Sequence, residues 1–202
     1  MLVSVIIPYN KDRGYLNEAI ESVLNQTYKN YELILSHNDA SSGYNMNQGI
    51  KQAKGDYICY LCDDDLLTIN SLEDRVRCMV HSNYDFIHSR GMHYWSKDNQ
   101  KPYNLTKENV TFESCLNHNG IMGGSTMYKA SMLKQEGWED YWTSCEWATH
   151  LKLLKKGYSL GFLDSVTYLY RRHPEQKSIG NLSSEYQEKR NVVKAEIKNR
   201  FK

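Results

Sequence analysis

Three apolar runs alternate with two helical patterns at the start of the chain, and this alternation limits the fold more than any other feature. "LVSVII" at 2–7 is β-branched and is stopped by Pro8. Such a run suits a strand buried in a parallel sheet. After the loop "PYNKDRG", the residues Leu16, Ile20, Val23 and Leu24 recur at helical spacing. "YELILS" reads as a second strand, and the polar loop "HNDASSGYN" leads into a helix over 44–53 that ends near Gly55. "DYICYLC" reads as a third strand. Strand–helix–strand–helix–strand implies a parallel sheet with right-handed crossovers. In open α/β sheets, ligands bind beyond the carboxyl ends of the strands. The loops 8–14, 37–45 and 63–66 are therefore expected on one edge.

The spacing predicts a helix over 69–81, then one or two strands in "YDFIHSRGMHYW" and a polar excursion over 96–111. "NGIMGGSTMYKASMLKQEG" mixes a strand with a helix. "CEWATHLKLLKKG" is a helix with Trp147, Leu151 and Leu154 on one side, closed by Gly157. "YSLGFLDSVTYLYRRH" resembles a late strand pair. The tail from Ser183 to Lys202 is a charged helix with a thin stripe at Tyr186, Val193, Ile197 and Phe201. It packs on the domain, binds a partner or leads into further domains.

A chain of 202 residues fits one fairly large domain. Its 40% hydrophobic and 24% charged residues are ordinary for a soluble globular protein. A formal charge of +1 gives no bulk field to select nucleic acid or anionic membrane. No apolar run approaches the roughly 20 residues that span a bilayer. "MLVSVIIP" lacks a basic leader and a cleavage site, so it reads as a strand and not a signal peptide. Five cysteines, an odd number, argue for a reducing cytoplasm. Cys59 and Cys62 form a C-x-x-C inside a strand, where an offset of three puts them on opposite faces. With no second pair, zinc or redox use is disfavoured. The sequon Asn104-Leu105-Thr106 carries little weight without a secretory signal. The sixteen tyrosines serve either polar clefts or the core.

Four groups carry potential chemistry. Asp63-Asp64-Asp65 follows the third strand. Mg²⁺ and Mn²⁺ prefer oxygen ligands and take one or two carboxylates plus substrate phosphates. The competing reading is an acidic helix start, and position at a strand's carboxyl end favours a site. In "YRRHP", Arg171 and Arg172 suit a diphosphate and His173 a metal or phosphate; taken alone, the stretch reads first as an exposed basic turn. Glu146 stands in the apolar helix start "SCEWATHL", as a general base or as a plain helix-terminal charge. "MGGS" at 122–125 permits close backbone approach, and a turn is the simpler reading.

Together these pieces resemble a family 2-type glycosyltransferase of the GT-A fold. "VSVIIPYNKDRGYLNEAIESVLNQTYKNYELI" is similar to the family's opening, and "NQGIKQAKGDYICYLCDDD" to the block that ends in its D-x-D region. "EWATHLKLLKKGY" resembles the acceptor-side helix and "YRRHPEQKS" the late Arg/His loop. The resemblance is strong over 2–90 and looser over 120–180. It implies a Rossmann-like, mainly parallel sheet flanked by helices in a single domain over 1–182, with a nucleotide-sugar half at 1–90, an acceptor half at 91–182 and a terminal helix at 183–202.

The resemblance also implies a nucleotide-sugar donor, usually a UDP sugar, a glycan or glycoprotein acceptor, and Mn²⁺ or Mg²⁺. Pro8, Tyr9 and Asn10 match the nucleoside loop. Asp63 would face the ribose or sugar, Asp64 or Asp65 the metal, and His173 would close over metal and diphosphate with Arg171 or Arg172 adding positive charge. Glu146 matches the usual catalytic-base Asp. Three departures stand out. His37-Asn38-Asp39 replaces a common D-D-G, so base recognition is altered or moves to Asp39, with Asn38 beside it. Met46 stands where Arg is frequent, in a stretch that is shortened over 39–45. Cys145-Glu146 replaces an acidic pair, which leaves inverting and retaining mechanisms both open. A D-x-D-D register would put Cys62 at the first Asp. The rival readings are a nucleotidyltransferase and a non-catalytic nucleotide-sugar-binding module.

Overall fold

In a computed structural model of the chain, the structure describes residues 1–96, 99–102, 107–141, 143–173, 176 and 184–202. The sequon at 104–106, most of "PEQKS", the side chain of Tyr186 and the expected boundary near 182 lie outside the described residues.

β1 (Val3–Tyr9) is the centre of the first half. It pairs in parallel with β2 (Tyr31–His37) on one side and β3 (Tyr57–Tyr60) on the other. Side chains alternate across a strand. Val3, Val5 and Ile7 meet Leu16, Ala19 and Val23 of α1 (Leu16–Leu24), whereas Ile6 meets Met46 and Ile50 of α2 (Ser42–Gln52). A helix on each face is why the run is buried at successive positions and mostly apolar; its one polar member there, Ser4, donates its hydroxyl to Glu32 at 2.6 Å. The Ser41 hydroxyl caps α2 by accepting from the Tyr44 N–H at 3.0 Å. Leu24 falls outside this packing and is 53% exposed. Pro8 does not end β1. Pairing to β3 stops at Ile6 while pairing to β2 continues to Tyr9, so one edge is open where the N–H is missing.

The chain continues through β4 (Leu66–Leu67), α3 (Ser71–Val80), β5 (Phe86–Ser96) and β6 (Asn99–Pro102). Then come α4 (Phe112–Asn117), a 3₁₀ turn at Gly123–Ser125, β7 (Met127–Lys129) and α5 (Ala130–Glu136). It closes with α6 (Cys145–Lys155), β8 (Leu160–Arg171) and α7 (Ser184–Phe201). The sheet order is β2-β1-β3-β7-β5-β8-β4, with β6 paired to β5. β1, β2, β3, β5 and β8 run one way, and the short β4, β6 and β7 run against them. The expected mainly parallel α/β sheet is present. The late strand pair is instead one strand, β8, parallel to β5. Asp164-Ser165 imitates a turn, but the register shifts around Arg90 absorb these residues as an irregularity within one strand.

α7 packs on α6: Ile197 and Phe201 are buried against Trp147, Ala148 and Leu151. Among the described residues, no helix is long and apolar enough to cross a membrane.

Candidate active site

The carboxyl ends of β1 and β3 open onto a cavity of about 230 Å³. Pro8, Tyr9, Asn10 and Arg13 line it from the loop after β1, and Cys62 to Asp65 from the turn after β3. Gly123 and Gly124, Thr143 to Glu146 at the start of α6, Tyr168 and Tyr170 of β8, Gln176 and Arg190 form much of the rest of the wall. Tyrosines serve both expected purposes, since Tyr9 lines the cavity and Tyr128 is fully buried in the core.

Three adjacent carboxylates repel one another, and the fold answers with specific donors. Asp65 is fully buried. Its Oδ2 accepts from the Tyr168 hydroxyl at 2.5 Å and its Oδ1 from the Arg171 backbone N–H at 2.9 Å. Burial, and then the neighbouring Asp64, push its carboxyl well above the usual range. Asp64 Oδ2 lies 3.1 Å from His173 Nε2 and 3.4 Å from Arg13 Nη2. Both oxygens of Asp63 accept from Arg13 Nη2, at 3.0 and 3.1 Å. Asp63 therefore faces an arginine.

Ligand atoms of Cys62, Asp64 and Asp65 lie within 4.8 Å of one another. The Cys62 thiol is 2.9 Å from the Tyr60 hydroxyl, and burial first, then Asp65 and Asp64, push it well above its usual range. Of the three, the carboxylates of Asp64 and Asp65 are the hard oxygen donors and the Cys62 sulfur the soft one. Hard oxygen donors fit Mg²⁺ or Mn²⁺, and a cation would offset the repulsion between Asp64 and Asp65, which adds to burial in raising Asp65. Cys59 and Cys62 do enter different cores, so the C-x-x-C is no pair.

Glu146 lies in the first turn of α6, behind Ser144 in a left-handed conformation at φ 62°. Burial raises its carboxyl, and the helix-terminal N–H, Arg190 and Lys194 oppose that rise. The "MGGS" stretch is a turn, and its glycines have a packing reason. A Cβ on Gly124 would come within 2.1 Å of the Tyr168 ring, the ring that holds Asp65. Beneath this turn lies Arg75, fully buried. It donates to the Gly124 and Thr126 carbonyls at 2.8 and 3.1 Å and to the Thr167 hydroxyl at 2.7 Å.

The structure thus brings Pro8, Tyr9, Asn10, Asp63, Asp64, Asp65 and Glu146 to one cavity, with His173 held on Asp64. Arg171 stands behind the wall. Its Nε donates to the Asp64 carbonyl at 2.7 Å, and its Nη2 pairs with Glu18 at 2.9 Å. Arg172 lies over the Tyr170 ring, 5.8 Å from the centroid, outside the lining. Asn38 and Asp39 are exposed and also outside it. Asn45 ties Asn38 to the loop after β1 by donating to the carbonyls of Tyr9 and Asn38, each at 2.9 Å. Met46 is core. The sequence reading missed Arg13, Arg75, Tyr168 and Arg190. Only Arg13 carried a signal, as a cation in a loop already placed on the functional edge.

Residues 35–137, just over half of the chain, match the family model described as glycosyl transferase family 2. The chain belongs to glycosyl transferase family 2. The matched span contains the acidic turn; Pro8 to Asn10, Glu146 and His173 lie outside it. An uncharacterized glycosyltransferase of Rickettsia typhi is 30% identical over 169 residues, covering 67% of this chain and 52% of the relative. A UDP-Glc:alpha-D-GlcNAc-diphosphoundecaprenol beta-1,3-glucosyltransferase of Escherichia coli is 28% identical over 112 residues, covering 43% of this chain and 44% of that enzyme. The chain therefore spans about half the length of curated relatives that it matches.

Among solved structures, Staphylococcus aureus TarS 1–349 in complex with UDP-GlcNAc superposes with a TM-score of 0.72 at 15% identity, over 96% of this chain and 65% of that 1–349 chain. A mannosyltransferase of Pyrobaculum calidifontis in complex with GDP-Man and Mn²⁺ gives 0.65 at 14% identity, over 86% of this chain and 57% of that one. These likenesses agree with the family 2 assignment at the level of the fold.

Proposed function

We propose that this family 2 chain transfers a sugar from a nucleoside-diphosphate sugar, a UDP sugar in the first instance, to a hydroxyl of a glycan or glycoprotein acceptor, with inversion. The observation that carries this reading is one cavity shared by the nucleoside loop Pro8–Asn10, the acidic turn Asp63–Asp65 and Glu146. Nucleotide sugars in the complexes of two structural neighbours support the donor class. The nucleotide half is residues 1–90 and the acceptor half 91–182.

In this reading Asp64 and Asp65, with His173, hold Mn²⁺ or Mg²⁺. When bound, such an ion neutralises charge developing on a leaving diphosphate. Tyr168 and the Arg171 N–H orient Asp65, and Arg13 orients Asp63 beside the donor. Glu146 accepts the proton of the acceptor hydroxyl as that oxygen attacks the anomeric carbon. The bond from that carbon to the diphosphate oxygen breaks, and the nucleoside diphosphate leaves. Burial raises the Glu146 carboxyl, which brings a general base closer to working pH.

A panel of nucleotide sugars incubated with and without Mn²⁺, scored for nucleoside diphosphate release, tests the proposal. Metal-dependent hydrolysis of one donor is expected. Release of pyrophosphate would instead indicate nucleotidyl transfer, and binding without any turnover a non-catalytic module.

A further inference from the structure

The charged terminal helix α7 reaches the same cavity. Its docking fixes where its basic residues fall. Lys155, ending α6, donates to the Phe201 carbonyl that ends α7, at 2.9 Å. Ile197 and Phe201 pack against Trp147 and Leu151 of α6. The two helices lie side by side with their C-terminal ends together, so a similar number of turns leads back from that contact to Glu146 on α6 and to Arg190 on α7. Arg190 accordingly lines the cavity near Glu146.

Arg190, Lys194 and Lys198 are four residues apart and share one face of α7. All three are partly buried. Other basic residues of α7 have acidic partners: Lys189 pairs with Glu185, and Arg200 with Glu139. Among the described residues, Arg190, Lys194 and Lys198 form no ion pair. Like charges at this spacing destabilise a helix, and partial burial weakens their contact with water. Burial first, then Arg190 and Lys198, lower the affinity of Lys194 for its proton, and Glu146 opposes them. The stripe thus sets three cations against one carboxylate, Glu146, and carries excess positive charge among the described residues.

We infer that this face of α7 binds an anionic group, a phosphate or diphosphate, on the acceptor, next to the hydroxyl presented to Glu146. The inference rests on the proposed transferase reading and names its acceptor class. Acceptor and not donor is favoured because the donor diphosphate is assigned to the acidic turn and His173. Lys194 and Lys198 continue from Arg190 along α7 outside the cavity lining, where an acceptor would extend.

The test is titration calorimetry on the full chain saturated with UDP, using glucose 1-phosphate and methyl glucoside as probes. Glucose 1-phosphate is expected to bind at least 10-fold more tightly, and Arg190→Gln with Lys194→Gln to erase that preference. Arg190→Lys should restore most of it. UDP affinity should be the same in all these variants. Equal affinity of the wild-type chain for both probes overturns the inference. So does a variant that weakens UDP as much as glucose 1-phosphate, because the stripe would then serve the donor. If wild type binds no UDP, the donor reading fails by itself, and the same two probes without UDP still decide the role of α7.

Discussion

His173 Nε2 lies 3.1 Å from Asp64 Oδ2, across 109 residues of sequence. The contact ties the end of β8 to the turn after β3, and in the proposed enzyme both side chains hold the ion. Asp64→Ala is expected to abolish Mn²⁺ binding in a calorimetric titration. His173→Ala should weaken it by about 10- to 100-fold, as when a metal site loses a group that supports its ligands. Unchanged Mn²⁺ affinity in both variants would remove the ion from this turn.

Arg13 gives one nitrogen to Asp63 and Asp64 together. Its charge competes with an incoming cation and attracts an incoming anion. Arg13→Gln should therefore tighten Mn²⁺ and weaken UDP, each by roughly 3- to 10-fold, about what one partly screened charge contributes. Two affinities that fall together would contradict this account.

Glu146→Gln keeps the size of the side chain and removes the base. The turnover number is expected to fall by about 10²- to 10⁴-fold, with little change in the donor KM. Steady-state kinetics with a working acceptor measures both. Near-full activity would sink the base assignment and leave a retaining mechanism in its place.

Arg75 is a buried cation with no carboxylate partner among the described residues, held by carbonyls and the Thr167 hydroxyl. Burial lowers its pKa. Arg75→Met fills the space but leaves the Gly124 and Thr126 carbonyls without donors, at about 1–3 kcal/mol each. Urea denaturation should show a loss of about 3 kcal/mol. A loss under about 1 kcal/mol would show that the carbonyls find other donors.

His88 is fully buried with neither ring nitrogen hydrogen-bonded among the described residues, and burial lowers its pKa to about 4. The unfolded chain, with an ordinary histidine near 6.5, then binds more protons than the folded one between pH 6.5 and about 4. Stability falls as pH drops through that window, by roughly 3 kcal/mol for this one group, at 1.36 kcal/mol per pH unit. His150, lowered to about 3 by burial and by His88, adds a loss of the same sign. His88→Phe should flatten the stability profile between pH 6.5 and 4 relative to wild type. Parallel profiles would assign the acid sensitivity elsewhere.

Much of the first half was legible because its signals are local. β1, β2 and β3 are apolar runs, and α1 and α2 are periodic stripes, so each declares itself within a dozen residues. The second half was read less well. The Asp164-Ser165 pair imitates a turn, and only its pairing with β5 shows that β8 is continuous. Pro8 misled for the same reason, because its tolerance depends on where β3 stops.

By itself, the sequence determined the α/β alternation, the place of Asp63–Asp65 beyond a parallel strand and the set of side chains available for chemistry. These follow from backbone periodicity and from which residue types can be buried. Only the tertiary structure decided that Arg13 faces Asp63, that Tyr168 and Arg171 anchor Asp65, that Arg75 supports the glycine turn and that α7 brings Arg190 beside Glu146. Each of these relations joins segments far apart in the chain. Partner choice there depends on sheet register and helix docking, which no local spacing encodes.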